Sequence, residues 1–410
     1  MSEIHYEKLL PPLLSGRELI DRIGCYPHYD EQIRNSDQNV RLEALTDIYR
    51  LYYPFPITVE IYNKLYLATS LSLKRKNTKL AIRQRNETYK AMIGNKEYHG
   101  IIGGADSLTV IGKSGTGKTS AIMTAINMIS CQKIIETDNP YSRIIPALKV
   151  ECPFDASSKG LLLEIMRSVD EILGTNYFES SRKTSDTTDI LIGAVSQIAL
   201  NHIGLLVIDE IQNVWGRKNG ILLMSMIIQM INSSGISIAL VGTEECIPFF
   251  EKAAQLARRA QGIKFSTLSF DDTFDAFCTT VWQYQYVKEY TPINEEIVEW
   301  LYEHSAGIVS NIVALIHDAQ EIAILDGYEK LNIESLENAY KRRMSMMQRF
   351  IENPKRKKTG KHDSRKDMFE EQDACISESV VDMVKTAKNK GINPVDFLME
   401  HITIEEVAVE

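Results

Sequence analysis

Apolar residues in the middle of the chain follow two alternating patterns. Short, nearly continuous apolar runs such as Gly204–Ile208 and Ile236–Val241 are typical of strands that are buried on both faces. Stretches with apolar residues at helical spacing separate most of these runs. This alternation predicts an α/β fold with a parallel sheet covered by helices. The predicted strands are Leu108–Ile111, Ile144–Glu151, Gly204–Ile208, Ile236–Val241 and Ile263–Phe270.

Residues 271–350 carry apolar residues at helical spacing throughout. Gly307 and Gly327 interrupt the pattern, which indicates several helices rather than one long one. Together they predict a small helical bundle that follows the sheet. The predicted helices are Asp272–Tyr290, Asn294–Ser305, Ser310–Leu325 and Asn332–Arg349.

Basic runs lie near both ends of the chain. Lys74–Lys90 and Lys355–Lys366 each hold seven basic residues and one acid. Such a run forms either a solvated surface or a contact with nucleic acid or an acidic partner. The second run has few apolar residues, so we expect a flexible linker over 351–374. Residues 375–410 then carry enough apolar residues for one or two short helices.

Composition excludes several classes of protein. The chain has 410 residues and a net charge of −9, which argues against a wholly basic nucleic-acid coat protein but not against a local basic patch. No two of the six cysteines are closer than 21 residues, which argues against zinc ribbons and redox dithiols. The start of the chain lacks a secretory signal pattern, and the uncharged stretches Ile190–Ile208 and Ile221–Thr243 contain polar residues. We therefore expect a cytoplasmic protein with no membrane contact.

The strongest motif directly follows the predicted strand Leu108–Ile111. Residues Gly112–Thr119 read GKSGTGKT and fit GxxxxGK[ST], the P-loop pattern. Glycines allow backbone N–H groups to surround phosphate oxygens, and the next helix adds its positive N-terminus. Lys118 is expected to reach the β- and γ-phosphates of ATP, and Thr119 to bind Mg²⁺. The predicted nucleotide contacts are Gly112, Ser114, Gly115, Thr116, Gly117, Lys118, Thr119, Ser120 and Asp209.

A second motif ends another predicted strand. The apolar run Leu205–Ile208 leads into Asp209 and Glu210, and ligand sites of open α/β sheets lie at such carboxyl ends. Asp209 is expected to hold Mg²⁺ through water, because Mg²⁺ keeps part of its hydration shell. Glu210 is expected to act as the general base for the attacking water. The alternative is a helix N-cap beside an exposed acid.

These two motifs and the helical bundle behind them resemble the AAA+ ATPases over about residues 100–350. The resemblance implies a γ-phosphate sensor at Thr243, after the strand Ile236–Val241. It also implies an arginine finger at Arg258 or Arg259, at the end of a helix over Glu244–Ala260, which reaches the ATP of the neighbouring subunit. The alternative for these arginines is an exposed basic helix end. The lid region Ser305–Ile312 departs from the family, since it has no arginine.

Shorter phrases narrow the resemblance to the TnsC and TniB transposition regulators. They are LLVIDEIQ at Leu205–Gln212, LVGTE at Leu240–Glu244 and ARRAQG at Ala257–Gly262. The resemblance implies an ATPase that assembles on double-stranded DNA as a ring or helical filament. It also implies that the assembly connects a target-site recognition protein to transposase subunits, and that hydrolysis takes it apart.

The residue patterns, together with the roles that the resemblance implies, divide the chain into five parts. They are an N-terminal accessory and partner-binding region (1–100), an AAA+ nucleotide-binding α/β domain (101–270), a helical lid (271–350), a basic flexible linker (351–374) and a C-terminal partner-binding segment (375–410). Two other functions stay open. One is a helicase loader or replication initiator, and the other is a nucleotide-switched protein-interaction module without DNA binding.

Three basic residues are candidates for DNA contact. Lys159 follows the second predicted strand at the start of a helix, near the position where family members contact DNA. Arg182 and Lys183 lie in a polar segment, Glu179–Asp189, that is predicted to be a loop. The alternative for each is an ordinary solvated surface charge.

Overall fold

A parallel sheet of five strands lies at the centre of the molecule. The computed structural model describes residues 5–76, 107–130, 134–136, 143–183, 187–214, 220–247 and 260–344. The strands are β1 (Ser107–Gly112), β2 (Ile145–Glu151), β3 (Ile203–Asp209), β4 (Ser237–Gly242) and β5 (Ala260–Phe265). They are hydrogen-bonded in the order β2-β3-β4-β1-β5, and all four pairs are parallel. The predicted α/β class with a parallel sheet is confirmed.

Helices cover the sheet and form the part of the chain that follows it. The α-helices of the described residues are α1 (Gly16–Ile23), α2 (Gln38–Leu45), α3 (Pro56–Lys76), α4 (Lys118–Ile129), α5 (Ser158–Leu173), α6 (Tyr177–Lys183), α7 (Thr188–His202), α8 (Gly220–Ser234), α9 (Asp272–Trp282), α10 (Glu295–Ser305), α11 (Val309–Leu325) and α12 (Ile333–Arg343). Short 3₁₀ helices lie at Tyr6–Leu9, Glu31–Asn35, Thr46–Arg50, Ile211–Val214 and Glu244–Cys246.

Side chains of the two central strands alternate between two apolar layers. This follows from the two-residue period of a strand, which sends successive side chains to opposite faces. One layer lies under α3 and α4, and the other lies under α5, α7 and α8. The side chains of the first layer include Leu205, Val207, Ala239 and Val241, and those of the second include Leu206, Ile208, Ile238 and Leu240.

The last strand differs from its predicted bounds. The sequence pattern predicts Ile263–Phe270, whereas β5 begins at Ala260 and ends at Phe265. The end of β5 is set by its partner strand β1, which pairs with it from Ser107 to Gly112. Gly112 is the last residue of β1, so no residue of β1 remains to pair with the chain after Phe265. The chain then turns to the helical lid, where the Leu268 N–H donates to the Gly307 carbonyl (2.9 Å).

The lid contains α9 to α12 around its own apolar core. Asn294 and Asn332 cap α10 and α12 through their side-chain oxygens. The predicted helix Asp272–Tyr290 is too long, since α9 ends at Trp282. The Gln285 side chain stabilises the loop that replaces its last turns, because its amide donates to the carbonyls of Trp282 (3.1 Å) and Thr291 (2.7 Å).

The described part of the N-terminal region packs on both the sheet and the lid. Ile61, Leu65 and Leu73 of α3 belong to the apolar layer over β3 and β4. Leu45 and Ile48 belong instead to the core of the lid. Helix α2 ends at Leu45 and is followed directly by the 3₁₀ turn Thr46–Arg50. Residues 5–76 are therefore built into the structure around the site rather than separate from it.

A buried ion pair ties α2 to the lid. Arg41 is 2% exposed, and its guanidinium donates to both carboxylate oxygens of Glu329 at 2.6 and 2.7 Å. It also donates to the Tyr286 carbonyl (3.2 Å). This pair lowers the pKa of Glu329 through the hydrogen bonds from Arg41.

Two further sequence predictions concern membrane contact and the cysteines. Among the described helices, none is by itself long and apolar enough to cross a membrane; α10 and α11 reach that composition only as a pair bent by 119°. The four described cysteines, Cys25, Cys152, Cys246 and Cys278, are free thiols. The predicted linker over 351–374, which contains Lys355–Lys366, and the segment 375–410 lie outside the described residues.

Candidate nucleotide-binding site

A glycine-rich loop between β1 and α4 forms one wall of the site. Gly115 and Gly117 have φ angles of +77° and +103°, which lie in the region that favours glycine. A Cβ on Gly117 would meet nothing within 4 Å, so its backbone angle rather than a lack of room requires glycine there. Gly112 is different, because a Cβ there would lie 2.0 Å from the Phe265 carbonyl oxygen of β5. The loop is therefore shaped both by its own turns and by its contact with β5.

Lys118 begins α4 and is 8% exposed. Its ammonium group donates to the backbone carbonyls of Gly112 (2.8 Å) and Lys113 (2.6 Å), so the side chain folds back over the loop. Burial lowers the pKa of Lys118, and the nearby carboxylates of Asp209 and Glu210 oppose that shift. A buried cation that is held by neutral carbonyls is well placed to bind phosphate oxygens instead.

Asp209 is the last residue of β3 and is 3% exposed. Its Oδ2 atom accepts a hydrogen bond from Thr119 Oγ1 (3.2 Å) and lies 3.3 Å from Lys149 Nζ. Its Oδ1 atom accepts from the backbone N–H of Glu210 (2.9 Å). Thr119 and Asp209 thus present two hard oxygen ligands next to each other, as Mg²⁺ prefers.

Glu210 has a left-handed backbone with a φ of +58°. A residue with a side chain adopts this conformation only where its surroundings hold it there, and such residues concentrate at functional sites. The Gln212 side-chain amide donates to the Glu210 carboxylate. The Glu210 side chain is exposed, so water can reach its carboxylate.

Gln212 also connects the ends of β3 and β4. Its Oε1 atom accepts from the backbone N–H of Thr243 at 3.2 Å. The Thr243 hydroxyl is buried and has no hydrogen-bond partner among the described residues. A buried hydroxyl without a partner is unfavourable by about 1–3 kcal/mol, so a ligand oxygen at this position would stabilise it.

These groups meet in one cavity of about 280 Å³. The lid contributes to it through Ser310 of α11, whose backbone N–H donates to the Gly115 carbonyl (3.1 Å). A Cβ on Gly115 would lie 2.3 Å from Ser310 Oγ, so the lid and the loop are in close contact. The cavity is lined by Ser114, Gly115, Gly117, Lys118, Thr119, Ser120, Asp209, Glu210, Gln212, Gly242, Thr243 and Ser310.

Two predicted nucleotide contacts do not line the cavity and instead shape the loop. Gly112 supplies a carbonyl to Lys118. Thr116 is 2% exposed, and its hydroxyl donates to the Lys113 carbonyl (2.9 Å). Their contribution is therefore to the conformation of the backbone around the phosphates.

The residues present fit ATP with Mg²⁺. The buried Lys118 ammonium and the turns at Gly115 and Gly117 suit phosphate oxygens. The paired oxygens of Thr119 and Asp209 suit the metal ion. The partnerless hydroxyl of Thr243 leaves an unused donor in the same cavity.

Two thiols, those of Cys152 and Cys246, lie close to this site but are not reactive at neutral pH. Burial raises the pKa of Cys152 to about 12 and that of Cys246 to about 11. Both groups are therefore neutral thiols at neutral pH, and the thiolate is the reactive form. The chemistry of the cavity rests on its amine, carboxylate and hydroxyl groups.

The candidate finger residues, Arg258 and Arg259, lie outside the described residues. The predicted helix over Glu244–Ala260 is wrong at its end, because Ala260 pairs with Ser107 as the first residue of β5. At its start, the described part is a short 3₁₀ turn, Glu244–Cys246.

The candidate DNA contacts do not line the cavity. Lys159 is exposed near the start of α5. Arg182 lies on α6 and not in a loop; its guanidinium is 3.7 Å from Glu179 one turn earlier. The helix forms because the Asp170 carboxylate accepts from the N–H groups of Tyr177 (2.9 Å) and Phe178 (2.8 Å). Lys183 is the last residue of α6, and its side chain lies outside the described part.

Four residues of the site were not predicted from the sequence: Lys149, Gln212, Gly242 and Ser310. Gln212 lies two residues after Glu210, so the motif itself contained a weak signal. Lys149 reaches Asp209 through the pairing of β2 with β3, in which Glu151 lies beside Asp209. Ser310 reaches the loop because the lid folds back over it. The last two contacts depend on tertiary structure.

The fold and the site together have the arrangement of the AAA+ P-loop proteins. The P-loop lies at the end of β1, the acidic pair Asp209–Glu210 lies at the end of β3, Thr243 follows β4, and a helical lid contacts the loop. Residues 101–269 match the family model described as "Bacterial TniB protein". The resemblance of the core to the TniB group is thereby confirmed.

Solved structures of other AAA+ proteins are similar at low identity. The Aeropyrum pernix ORC1 protein in complex with DNA is 15% identical, with a TM-score of 0.42, and the match covers 63% of each chain. Drosophila ORC bound to DNA is 12% identical with a TM-score of 0.42, over 98% of this chain and 86% of that one. AMPPCP-bound DnaA from Aquifex aeolicus is 14% identical with a TM-score of 0.33, over 65% of each chain. No curated protein sequence matches this chain.

Proposed function

We propose that this protein is an ATP-dependent, DNA-binding AAA+ regulator of transposition. It would oligomerise on target DNA and link a target-site recognition protein to transposase subunits, and ATP hydrolysis would drive disassembly. One observation carries the proposal: Lys118, Thr119, Asp209, Glu210 and Thr243 share one cavity, within the segment 101–269 that matches the TniB family.

Each group of the cavity has a distinct part in the proposed hydrolysis. Lys118 binds the β- and γ-phosphates, while Thr119 and Asp209 hold Mg²⁺. Bound Mg²⁺ supplies positive charge that offsets charge developing on the phosphoryl group. Glu210 orients the attacking water and accepts its proton. The Thr243 hydroxyl donates to a γ-phosphate oxygen, which gives that buried group the partner it lacks among the described residues.

Assembly is the proposed means of control. In this scheme Arg258 or Arg259 of one protomer reaches the ATP of its neighbour and stabilises the charge of the transition state. A site that two subunits complete makes association depend on the bound nucleotide. Ser305–Ile312 of the lid contains no arginine, so in this scheme either hydrolysis is slow or the finger contributes a larger share of the stabilisation.

The chain as a whole is acidic, with a net charge of −9, and acidic surfaces repel DNA. The proposed contact with DNA is therefore limited to a few basic residues. Lys159, Arg182 and Lys183 are the proposed contacts with phosphates, which position a protein on DNA without reading its sequence. The proposed docking regions for the transposition partners are residues 1–100 and 375–410.

A binding measurement tests the proposal. The full chain is titrated into a fluorescently labelled duplex of random sequence, and anisotropy is measured with a non-hydrolysable ATP analogue, with ADP and without nucleotide, at two salt concentrations. We expect binding that requires the ATP analogue and weakens with salt. A Lys118→Ala variant serves as the control that lacks the nucleotide site.

Two outcomes would contradict different parts of the proposal. Absence of duplex binding in every nucleotide state would exclude assembly on DNA. Equal binding by wild type and Lys118→Ala would show that the nucleotide does not control it. If the duplex result is positive, transposase subunits are added to the same assembly, and recruitment that depends on ATP is the expected result.

A further inference from the structure

A lysine of β2 lies against the predicted magnesium ligand. Lys149 Nζ is 3.3 Å from Asp209 Oδ2 and 3.2 Å from Glu151 Oε1. The Lys149 side chain is 17% exposed, and the Asp209 side chain is 4% exposed. The Lys149 ammonium group thus bridges the buried carboxylate of Asp209 and the carboxylate of Glu151. The Glu151 side chain is 72% exposed, so its carboxylate is solvated.

The oxygen that Lys149 contacts is the same one that Thr119 uses. Asp209 Oδ2 accepts from Thr119 Oγ1 at 3.2 Å, and this pair of oxygens is where the metal ion is expected. Lys149 therefore competes with a divalent cation for one oxygen atom. Two cations that approach a common enclosed oxygen repel each other strongly, because little water screens them.

Glu151 offers Lys149 a second place to bind. The two residues lie two positions apart on β2, so their side chains point to the same face of the sheet. Glu151 is also the register partner of Asp209 across the β2–β3 pair. Because Lys149 contacts both carboxylates at once, loss of its contact with Asp209 leaves the contact with Glu151 in place.

We propose that Lys149 is a positioning residue that sets the affinity of the site for Mg²⁺. Without the metal ion, its ammonium group compensates the buried charge of Asp209. When Mg²⁺ binds, the ammonium group is repelled from Asp209 and is retained by Glu151. The inference rests on the proposed function, since it requires that Thr119 and Asp209 hold Mg²⁺ with a nucleotide.

The test measures metal binding rather than turnover. The full chain is saturated with a fluorescent, non-hydrolysable ATP analogue in the presence of a chelator, and Mg²⁺ is added until the fluorescence change is complete. The Mg²⁺ concentration at the midpoint is compared between variants. Lys149→Met should lower this midpoint at least about fivefold, because a competing charge is removed.

The counterpart variant changes the midpoint in the opposite direction. Glu151→Gln leaves Lys149 with Asp209 alone and should raise the midpoint at least about threefold. The double variant Lys149→Met/Glu151→Gln should behave like Lys149→Met. If Glu151→Gln raises the midpoint equally with and without Lys149, Glu151 acts on the metal ion directly and the proposed switch is wrong.

A second lysine-to-methionine variant tests whether the effect of Lys149→Met depends on its position or only on the lost positive charge. Lys330 lies in an ion pair with Glu289 (3.7 Å), and Lys330→Met removes the same charge outside the cavity. Its midpoint should equal that of wild type. An unchanged or higher midpoint for Lys149→Met would overturn the inference, whereas a wild type that binds no nucleotide would overturn the proposed function itself.

Discussion

At the scale of single residues, the site is organised by two enclosed opposite charges. Lys118 is 8% exposed and Asp209 is 3% exposed, and each has hydrogen-bond partners that a nucleotide with its metal ion would replace. Groups that are buried and charged must be compensated in both states. The backbone carbonyls around Lys118 and the donors around Asp209 provide this compensation before a ligand binds.

Lys118→Ala should abolish nucleotide binding while the fold is retained. The variant loses a charged donor to two phosphates, and each such hydrogen bond contributes about 1.5–3 kcal/mol, so the affinity for ATP should fall at least about 100-fold. Equilibrium binding of a fluorescent ATP analogue measures this, and circular dichroism checks the fold. Lys113→Ala, an exposed lysine of the same loop, is the matched control. Normal hydrolysis by Lys118→Ala would show that the site is assigned wrongly.

Glu210→Gln should bind ATP but hydrolyse it slowly. The substituted amide keeps the size of the side chain but cannot accept a proton from water, so turnover should fall by about 100-fold or more. Phosphate release measures turnover, and anisotropy with a labelled duplex should show assemblies that persist in ATP. Turnover at the wild-type rate would mean that another group is the base.

At the scale of secondary-structure elements, local sequence predicts some features well and others poorly. The strands are predictable because buried parallel strands are continuous apolar runs, and four of them differ from prediction by one residue at one or both ends. The P-loop and the Asp209–Glu210 pair were recognisable because their chemistry lies in consecutive residues. The position of α3 over the sheet is not predictable, because the spacing of its apolar residues does not indicate which surface the helix covers.

Leu65→Ala tests whether α3 belongs to the core of the ATPase fold. Leu65 is fully buried in the layer over β3 and β4, so its truncation leaves a cavity. The free energy of unfolding should fall by about 2–5 kcal/mol. Leu67→Ala on the same helix is the control, because Leu67 is 55% exposed and should change it by less than about 0.5 kcal/mol. Urea denaturation of both variants provides the comparison, and equal effects would contradict the packing described.

Gly115→Ala tests the contact between the lid and the loop. The new Cβ would lie 2.3 Å from Ser310 Oγ, and the φ of +77° adds strain for any side chain. We expect nucleotide affinity to fall, because the lid must move away from the loop. Gly115→Ala/Ser310→Gly removes the contact but keeps the strain, so affinity should return in part. The measurement is binding of a fluorescent ATP analogue, and no difference between single and double variants would contradict a role of the lid.

At the scale of the whole molecule, the N-terminal region joins parts that are far apart in the sequence. Its residues reach the apolar layer of the sheet through Leu65 and the lid through the Arg41–Glu329 pair. Neither contact has a local sequence signal, because Glu329 lies 288 residues after Arg41 and every strand of the apolar layer lies more than 40 residues after Leu65.

Mixing of inactive variants tests whether subunits share a site. Arg258→Ala and Arg259→Ala are each combined with Lys118→Ala, and phosphate release is measured. In such a mixture, the Lys118→Ala protomer still has its arginines, and the arginine variant still has an intact P-loop. The arginine of the first protomer can complete the ATP site of the second, so part of the activity should return for the arginine variant that lacks the finger. The same variants measured alone are the controls. If neither mixture exceeds the sum of its components, the arginines do not act between subunits.

The position of α3 also determines where the chain can be truncated without exposing its core. The family match begins at residue 101, which invites expression of a fragment that starts there. Such a fragment would lack the helix that covers Leu205, Val207 and Ala239, and it would expose this apolar surface to water. Exposed surfaces of this kind cause association without specificity. The border of the sequence family is therefore not the border of the folding unit, and a shorter soluble chain should begin before Tyr6.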